Sequence, residues 1–120
     1  MGKRSKRSRA CEFSASARIK IYNRQRNECL FCLMNYEMEK ADPYELSIHE
    51  IMHIVPRSHG GLGIEQNGVL GCKFHHMMMD NGSSGKREEM LEICREYLRR
   101  VYPDFDFNQV TYMKYPARGT

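Results

Sequence analysis

Residues 49–76 read HEIMHIVPRSHGGLGIEQNGVLGCKFHH, and a shorter sequence, CLFC, precedes them at residues 29–32. Cys29 and Cys32 are separated by two residues, and so are Cys72 and His75 near the end of the longer stretch. Zn²⁺ in structural sites prefers four thiolate or imidazole ligands in a tetrahedron, and two short turns can each present two of them. The sequence therefore predicts a structural zinc site with the ligands Cys29, Cys32, Cys72 and His75. The alternative interpretation is a surface histidine at position 75 and a core cysteine at position 72.

A second histidine, His76, follows directly after His75. Neighbouring residues on a helix point about 100° apart, because a turn takes roughly 3.6 residues. The two histidines therefore cannot easily bind the same ion. Asp80 lies four residues after His76 and shares its face of such a helix. A histidine and a carboxylate suit a divalent cation with open coordination positions, such as Mg²⁺ or Mn²⁺.

The run from His53 to Gly61, HIVPRSHGG, followed by Asn67 and then by CKFHH at residues 72–76, resembles the HNH endonuclease family. The pattern of that family is roughly HI-x-P-R-S-x-G-G, then Asn, then C-x-x-C-H. The resemblance covers about residues 25–82 and includes the upstream cysteine pair of the zinc-containing members. It implies a small α+β fold with a ββα-metal core, stapled by the structural zinc, and an enzyme that cleaves DNA phosphodiester bonds.

The resemblance also implies a role for each matching side chain. His53 is expected to be the general base that activates water, and Asn67 to fix the loop that aims His53. His76 is expected to bind the catalytic ion, which would be Mg²⁺, Mn²⁺ or another divalent cation, and Arg57 to contact a phosphate. Small members of the family are often encoded by phages and prophages, so phage DNA-packaging proteins are candidate partners besides DNA.

The chain departs from the family pattern at two positions. The second zinc pair is C-x-x-H instead of C-x-x-C, which zinc tolerates. The residue before the general base is usually a metal-binding His or Asp, but here it is Met52, whose thioether is a poor ligand for Mg²⁺ or Mn²⁺. Our hypothesis is therefore that His76 and Asp80 hold the ion, with Glu50 as a further candidate ligand.

The rest of the 120-residue chain suits one domain with one modest core. We expect a disordered basic tail at 1–13 and a single domain at 14–120. Within it the sequence predicts a helix at 14–25 with Ile19 on its apolar face, an extended segment at 45–55, an irregular glycine-rich loop at 57–71 and a short helix at 73–79. Three- and four-residue spacing of apolar residues predicts an amphipathic helix at 86–102, with Cys94 in the core. Residues 107–116 are expected to form a final strand or an extended wrap.

Five of the 19 Lys and Arg residues precede residue 10, which leaves 14 against 15 Asp and Glu in the rest of the chain. A basic arm on a near-neutral body can raise phosphate affinity without reading bases. The five cysteines, three of them at ligand spacing, fit a reducing compartment, and no apolar run approaches a membrane span. We therefore expect a cytoplasmic protein, in the bacterial host if it is phage-encoded.

Two other functions remain open at the level of sequence. The first is an HNH-type zinc module, catalytically weak or inactive, that binds nucleic acid or a protein partner. Met52 favours this alternative. The second is a zinc peptidase, because His49, Glu50 and His53 spell H-E-x-x-H. That motif requires a long helix, and Pro56 and the glycines that follow argue against one.

Overall fold

Two antiparallel strands lie at the centre of the computed structural model, which describes residues 5–81 and 85–113. Strand β1 (His49–His53) pairs with strand β2 (Gly68–Cys72) over its whole length, so that His49 is opposite Cys72 and His53 is opposite Gly68. Helix α5 (Lys73–Asp80) follows β2 without a loop. The protein is thus a small α+β structure, as the sequence predicted.

Five further α-helices surround this unit within the described residues. They are α1 (Lys6–Ala10), α2 (Ala15–Arg24), α3 (Leu30–Leu33), α4 (Pro43–Leu46) and α6 (Arg87–Val101). Short 3₁₀ turns occupy Arg57–His59, Glu65–Asn67 and Phe107–Gln109. In the part of the chain described, no helix combines the length and the apolar character needed to cross a membrane.

The larger part of the core lies between the hairpin, α3, α5 and α6. Helix α6 contributes its apolar stripe, formed by Met90, Leu91, Cys94 and Leu98. The predicted core position of Cys94 is confirmed, because its side chain is fully buried. A smaller cluster packs α2 against β2 through Phe13, Ala17, Ile21 and Leu70.

Several expectations differ from the structure. Glu45 and Leu46 belong to helix α4 instead of the expected extended segment, and β1 starts only at His49. Residues 68–72 form β2 instead of a loop, because Val69 and Leu70 are buried between glycines that leave room for neighbouring side chains. Ile19 is exposed, and α2 buries Ala17 and Ile21 instead. Residues 107–113 form a 3₁₀ turn and a single bridge from Thr111 to Gly61 rather than a strand, and residues 114–116 lie outside the described part.

The expected disordered tail is the largest difference. Residues 6–10 form α1, and Cys11 and Phe13 are buried. The segment 5–13 docks on the loop between the strands, where the N–H of Gly63 donates to the Ala10 carbonyl at 2.9 Å. A Cβ at Gly63 would lie only 2.2 Å from the Glu12 carbonyl carbon, so the close approach requires glycine at this position. The first four residues lie outside the described part.

The free edge of β2 is closed by side chains from the end of α2. The buried Gln25 amide accepts from the Leu70 N–H at 2.8 Å and donates to the Leu70 carbonyl at 2.9 Å, as a third strand would. Arg24 donates to the carbonyls of Glu65 and Gly68, at 2.9 and 2.6 Å. It also donates to the Tyr102 hydroxyl at 3.1 Å. One guanidinium thereby connects α2, β2 and the residue that ends α6.

We expect Arg24→Lys to lower the free energy of unfolding by about 2 kcal/mol, because an ammonium cannot reproduce the planar fork that reaches both carbonyls. Arg18→Lys is the matched control, since Arg18 lies on the exposed side of the same helix. Urea denaturation measures both variants. Equal stability of the two would contradict the role assigned to Arg24.

Candidate metal centre and active site

Cys29, Cys32, Cys72 and His75 bring three sulfur atoms and one imidazole nitrogen within 4.8 Å of one another. Zn–S bonds of about 2.3 Å and Zn–N bonds of about 2.0–2.1 Å, at tetrahedral angles, separate two sulfurs by about 3.8 Å and a sulfur from a nitrogen by about 3.6 Å. The Cys32 and Cys72 sulfurs are 3.7 Å apart, and His75 Nδ1 lies 3.3–3.7 Å from the three sulfurs. The donor set and its dimensions therefore fit zinc. It is the one such group of three or more ligands among the described residues.

Two similar turns deliver these ligands. Cys29 caps α3, where its sulfur accepts from the Cys32 N–H at 3.5 Å. Cys72 caps α5 in the same way, accepting from the His75 N–H at 3.4 Å. These N–H donors stabilise negative charge on sulfur, so the first turn of each helix favours the thiolate form of its capping cysteine.

His75 is held in the tautomer that a metal site requires. Its Nε2 lies 2.6 Å from the carbonyl oxygen of Tyr36, and a carbonyl can only accept, so Nε2 carries the proton. The lone pair is then on Nδ1, which faces the three sulfurs. The ring is fully buried and packs against Phe31 and Phe74. A carbonyl behind the distal nitrogen is the common way in which proteins orient a metal-binding histidine.

The protein alone favours only one of the three thiolates. A hydrogen bond from the Cys72 thiol lowers the pKa of Cys29. Burial raises the pKa of Cys32 to about 11, and the hydrogen bond to Cys29, together with burial, raises that of Cys72 to about 12. A divalent cation at the centre of the cluster would supply the charge that all three thiolates need, with release of protons on binding.

His53 ends β1 and is oriented from the N-terminal segment. Its Nε2 lies 2.7 Å from the Cys11 carbonyl oxygen and therefore carries the proton. The Nδ1 atom has no hydrogen-bond partner among the described residues and is left as the acceptor. The Phe13 ring lies 4.3 Å from the imidazole, centroid to centroid. Burial lowers the pKa of His53 below 6.5, with a further contribution from the nearby Arg57 charge.

Asn67 fixes the loop that follows β1. Its side-chain oxygen accepts from the Val55 N–H at 2.8 Å. Its amide nitrogen donates to the carbonyls of Val55 and Leu62 at 3.1 and 2.9 Å. The buried Asn67 amide thus makes the hydrogen bonds that a strand partner would otherwise supply to Val55, at the point where the chain leaves β1.

His76 lies between two carboxylates. Its Nδ1 is 3.4 Å from Glu50 and its Nε2 is 3.2 Å from Asp80. Neighbouring ligands on an octahedral ion with bonds of about 2.1 Å are about 3.0 Å apart, so either pair has a spacing close to that of two ligands of one cation. Because the carboxylates face opposite edges of the ring, one ion could join His76 to Glu50 or to Asp80, but not to both as they stand.

Met52 is not in this cluster. It is fully buried, and its Sδ and Cε lie 2.7 Å from the position a Cβ would take at Gly71. The glycine provides the space for the thioether. The side chain before His53 therefore belongs to the core beneath the hairpin.

Both histidines line one open cleft of about 210 Å³. Arg57 and Asp80 also line it, and the apolar walls include Ile51 and Leu91. The H-E-x-x-H alternative is excluded, because His49 and His53 lie on a strand, where four residues span about 13 Å. His59, in the same loop as Arg57, is exposed and does not line this cleft.

The sequence did not identify Tyr36, Cys11 or Phe13 as site residues. The first two act through backbone carbonyls, which any residue type can supply, and no sequence signal marks them. Phe13 carried a signal, since a bulky aromatic residue in a supposed tail is better explained by burial.

Comparisons with protein-family models, with curated proteins and with solved structures find no match to this chain.

We expect the purified protein to contain about one zinc per chain, measured by elemental analysis. Cys32→Ser should abolish stoichiometric zinc and lower the melting temperature sharply, because a structural zinc contributes to folding. Cys94→Ala is the control, since Cys94 is a buried cysteine that lies outside the ligand set. Stoichiometric zinc in Cys32→Ser, or its loss in Cys94→Ala, would refute the ligand assignment.

Proposed function

We propose that the protein is a metal-dependent endonuclease of the HNH type that hydrolyses DNA phosphodiester bonds. The observation that carries the proposal is the cleft in which the acceptor-bearing His53 lies together with His76, Asp80 and Arg57. Glu50 contacts the other ring nitrogen of His76. A base, a candidate cation ligand and a guanidinium are the three groups that phosphodiester hydrolysis requires at one place.

In this proposal His53 Nδ1 accepts a proton from water as the water oxygen attacks phosphorus. The Cys11 carbonyl holds the opposite nitrogen and so keeps the lone pair directed away from the N-terminal segment. The bond from phosphorus to the leaving oxygen then breaks, and that oxygen takes a proton from solvent. Arg57 binds a phosphate oxygen and orients the strand.

His76, with Glu50 or Asp80, would hold the catalytic divalent cation. Such a cation neutralises the phosphate oxygens and stabilises the leaving oxygen when bound. The zinc site is a separate scaffold in this proposal: all four of its ligand positions are protein side chains, which leaves no position for a substrate.

One observation favours a second function, an HNH-like module that binds nucleic acid without cutting it. Met52 is buried in the core, so the position before His53 cannot supply a ligand. The presence of His53, Asn67 and His76 together argues against this alternative, because a binding scaffold requires none of them.

Plasmid cleavage tests the proposal. Supercoiled DNA with Mg²⁺, Mn²⁺ or Ni²⁺ should become nicked or linear, and His53→Ala should lower the rate by roughly 10²–10⁴-fold, the usual contribution of a general base. His59→Ala is the matched control, because it removes an exposed histidine from the same loop. No cleavage by the unaltered protein under any of these ions would contradict the nuclease proposal and favour the binding module.

The pH dependence of cleavage provides a second test. His53 must be neutral to accept a proton, and its pKa lies below 6.5 because the side chain is partly buried. The rate should therefore fall on acidification as His53 becomes protonated, with a midpoint at lower pH than that of an ordinary histidine. Single-turnover rates between pH 5 and 8 measure this, and a midpoint at or above the ordinary histidine pKa of about 6.5 would contradict the assignment of His53.

A further inference from the structure

A second cleft, of about 260 Å³, lies where the N-terminal segment meets the turn after β1. Its walls are formed by Ser5, Arg7, Ser8, Cys11, Arg57 and Ser58. Two of these residues also belong to the His53 site: Arg57 lines both clefts, and the Cys11 carbonyl holds the His53 ring. The two clefts are therefore neighbours that share one guanidinium.

Each of the two arginines of this cleft donates hydrogen bonds to backbone carbonyls of the segment that carries the other. Arg7 donates to the Ser58 carbonyl at 3.1 Å, and Arg57 reaches the Ser8 carbonyl at 3.5 Å. These contacts fix both guanidiniums at the cleft and use only part of the five N–H donors that each carries.

No acidic side chain lines this cleft. Within residues 5–81 and 85–113, neither Arg7 nor Arg57 forms an ion pair. Two cations that face one space repel each other, and an anion bound between them removes the repulsion. Guanidiniums match phosphate oxygens in geometry, and the three serine residues around them add hydroxyl groups.

We propose that this cleft binds a backbone phosphate of the DNA strand, next to the phosphate that reacts at His53. This inference rests on the proposed function and adds a second phosphate site to it. Because Arg57 belongs to both clefts, adjacent phosphates of one strand would share it. The bound phosphate would also join the N-terminal segment to the turn at residues 57–59, and so stabilise the position of the Cys11 carbonyl behind His53.

A pair of variants separates this local site from a diffuse basic arm. Arg7→Gln removes a charge that lines the cleft, whereas Arg9→Gln removes the same charge from an exposed position on the same helix, outside the cleft. Binding of a fluorescent 20-base-pair duplex is followed by anisotropy with the full-length, zinc-loaded protein. The buffer contains no other divalent cation, so the duplex stays intact.

Arg7→Gln should weaken binding about tenfold, since a charge-assisted contact is lost, and should reduce the slope of log K against log salt by about 0.9. Arg9→Gln should change affinity by no more than about twofold. Equal weakening by the two variants, or no weakening by either, would overturn the proposal.

Titration with inorganic phosphate distinguishes a strand phosphate from a free anion and does not depend on any variant. The amide resonances of Arg7, Ser8 and Ser58 should shift weakly with phosphate and strongly with duplex, because a strand is also held at its neighbouring phosphates. Tight saturation by phosphate with no effect of duplex would identify a site for a free anion and contradict the proposal. Plasmid cleavage is measured separately. If the protein does not cut DNA but Arg7→Gln alone weakens duplex binding, the nuclease proposal is wrong and the phosphate site stands. If the protein cuts DNA but Arg7→Gln and Arg9→Gln bind the duplex equally well, the phosphate site is wrong and the nuclease proposal stands.

Discussion

The cluster of three sulfurs and one imidazole nitrogen is the interaction that positions helix α5. It fixes the start of α3 against the junction of β2 and α5, two places 40 residues apart in the chain. Without an ion the protein lowers the pKa of only one of the three thiols, Cys29, so a divalent cation at the centre would supply the charge that three thiolates need. Once α5 is fixed at its first turn, the direction of every other side chain on that helix is fixed with it.

Helix α5 directs two adjacent histidines to two different sites. His75 turns into the buried cluster, while His76, about 100° further round the helix, lies in the open cleft with His53. The hairpin contributes from the other side: β1 ends at His53, and Asn67 clamps the loop that follows. A candidate structural metal site and a candidate catalytic site thus both use the paired strands and helix α5 without sharing a ligand.

Local signals in the sequence predicted much of this. The ligand spacing identified the Cys3His cluster, and the apolar periodicity identified α6 and the buried Cys94. Local sequence patterns gave wrong predictions where the structure depends on contacts between residues distant in sequence. The charges before residue 10 indicated disorder, yet Phe13 and Cys11 pack on a histidine some 40 residues later. The glycines around Val69 indicated a loop, yet they provide room for Phe13, Ile21 and Met52 against β2. No pattern within a short window contains that information.

The proposed role of His53 depends on a neutral imidazole whose lone pair is on Nδ1, with the Cys11 carbonyl behind Nε2. Long-range proton–nitrogen correlation spectra of the zinc-loaded protein, recorded above pH 7, report directly which nitrogen carries the proton. The hydrogen bond to Cys11 predicts protonation at Nε2 and an unprotonated Nδ1. A His53 protonated at Nδ1, or an even mixture of the two tautomers, would contradict it.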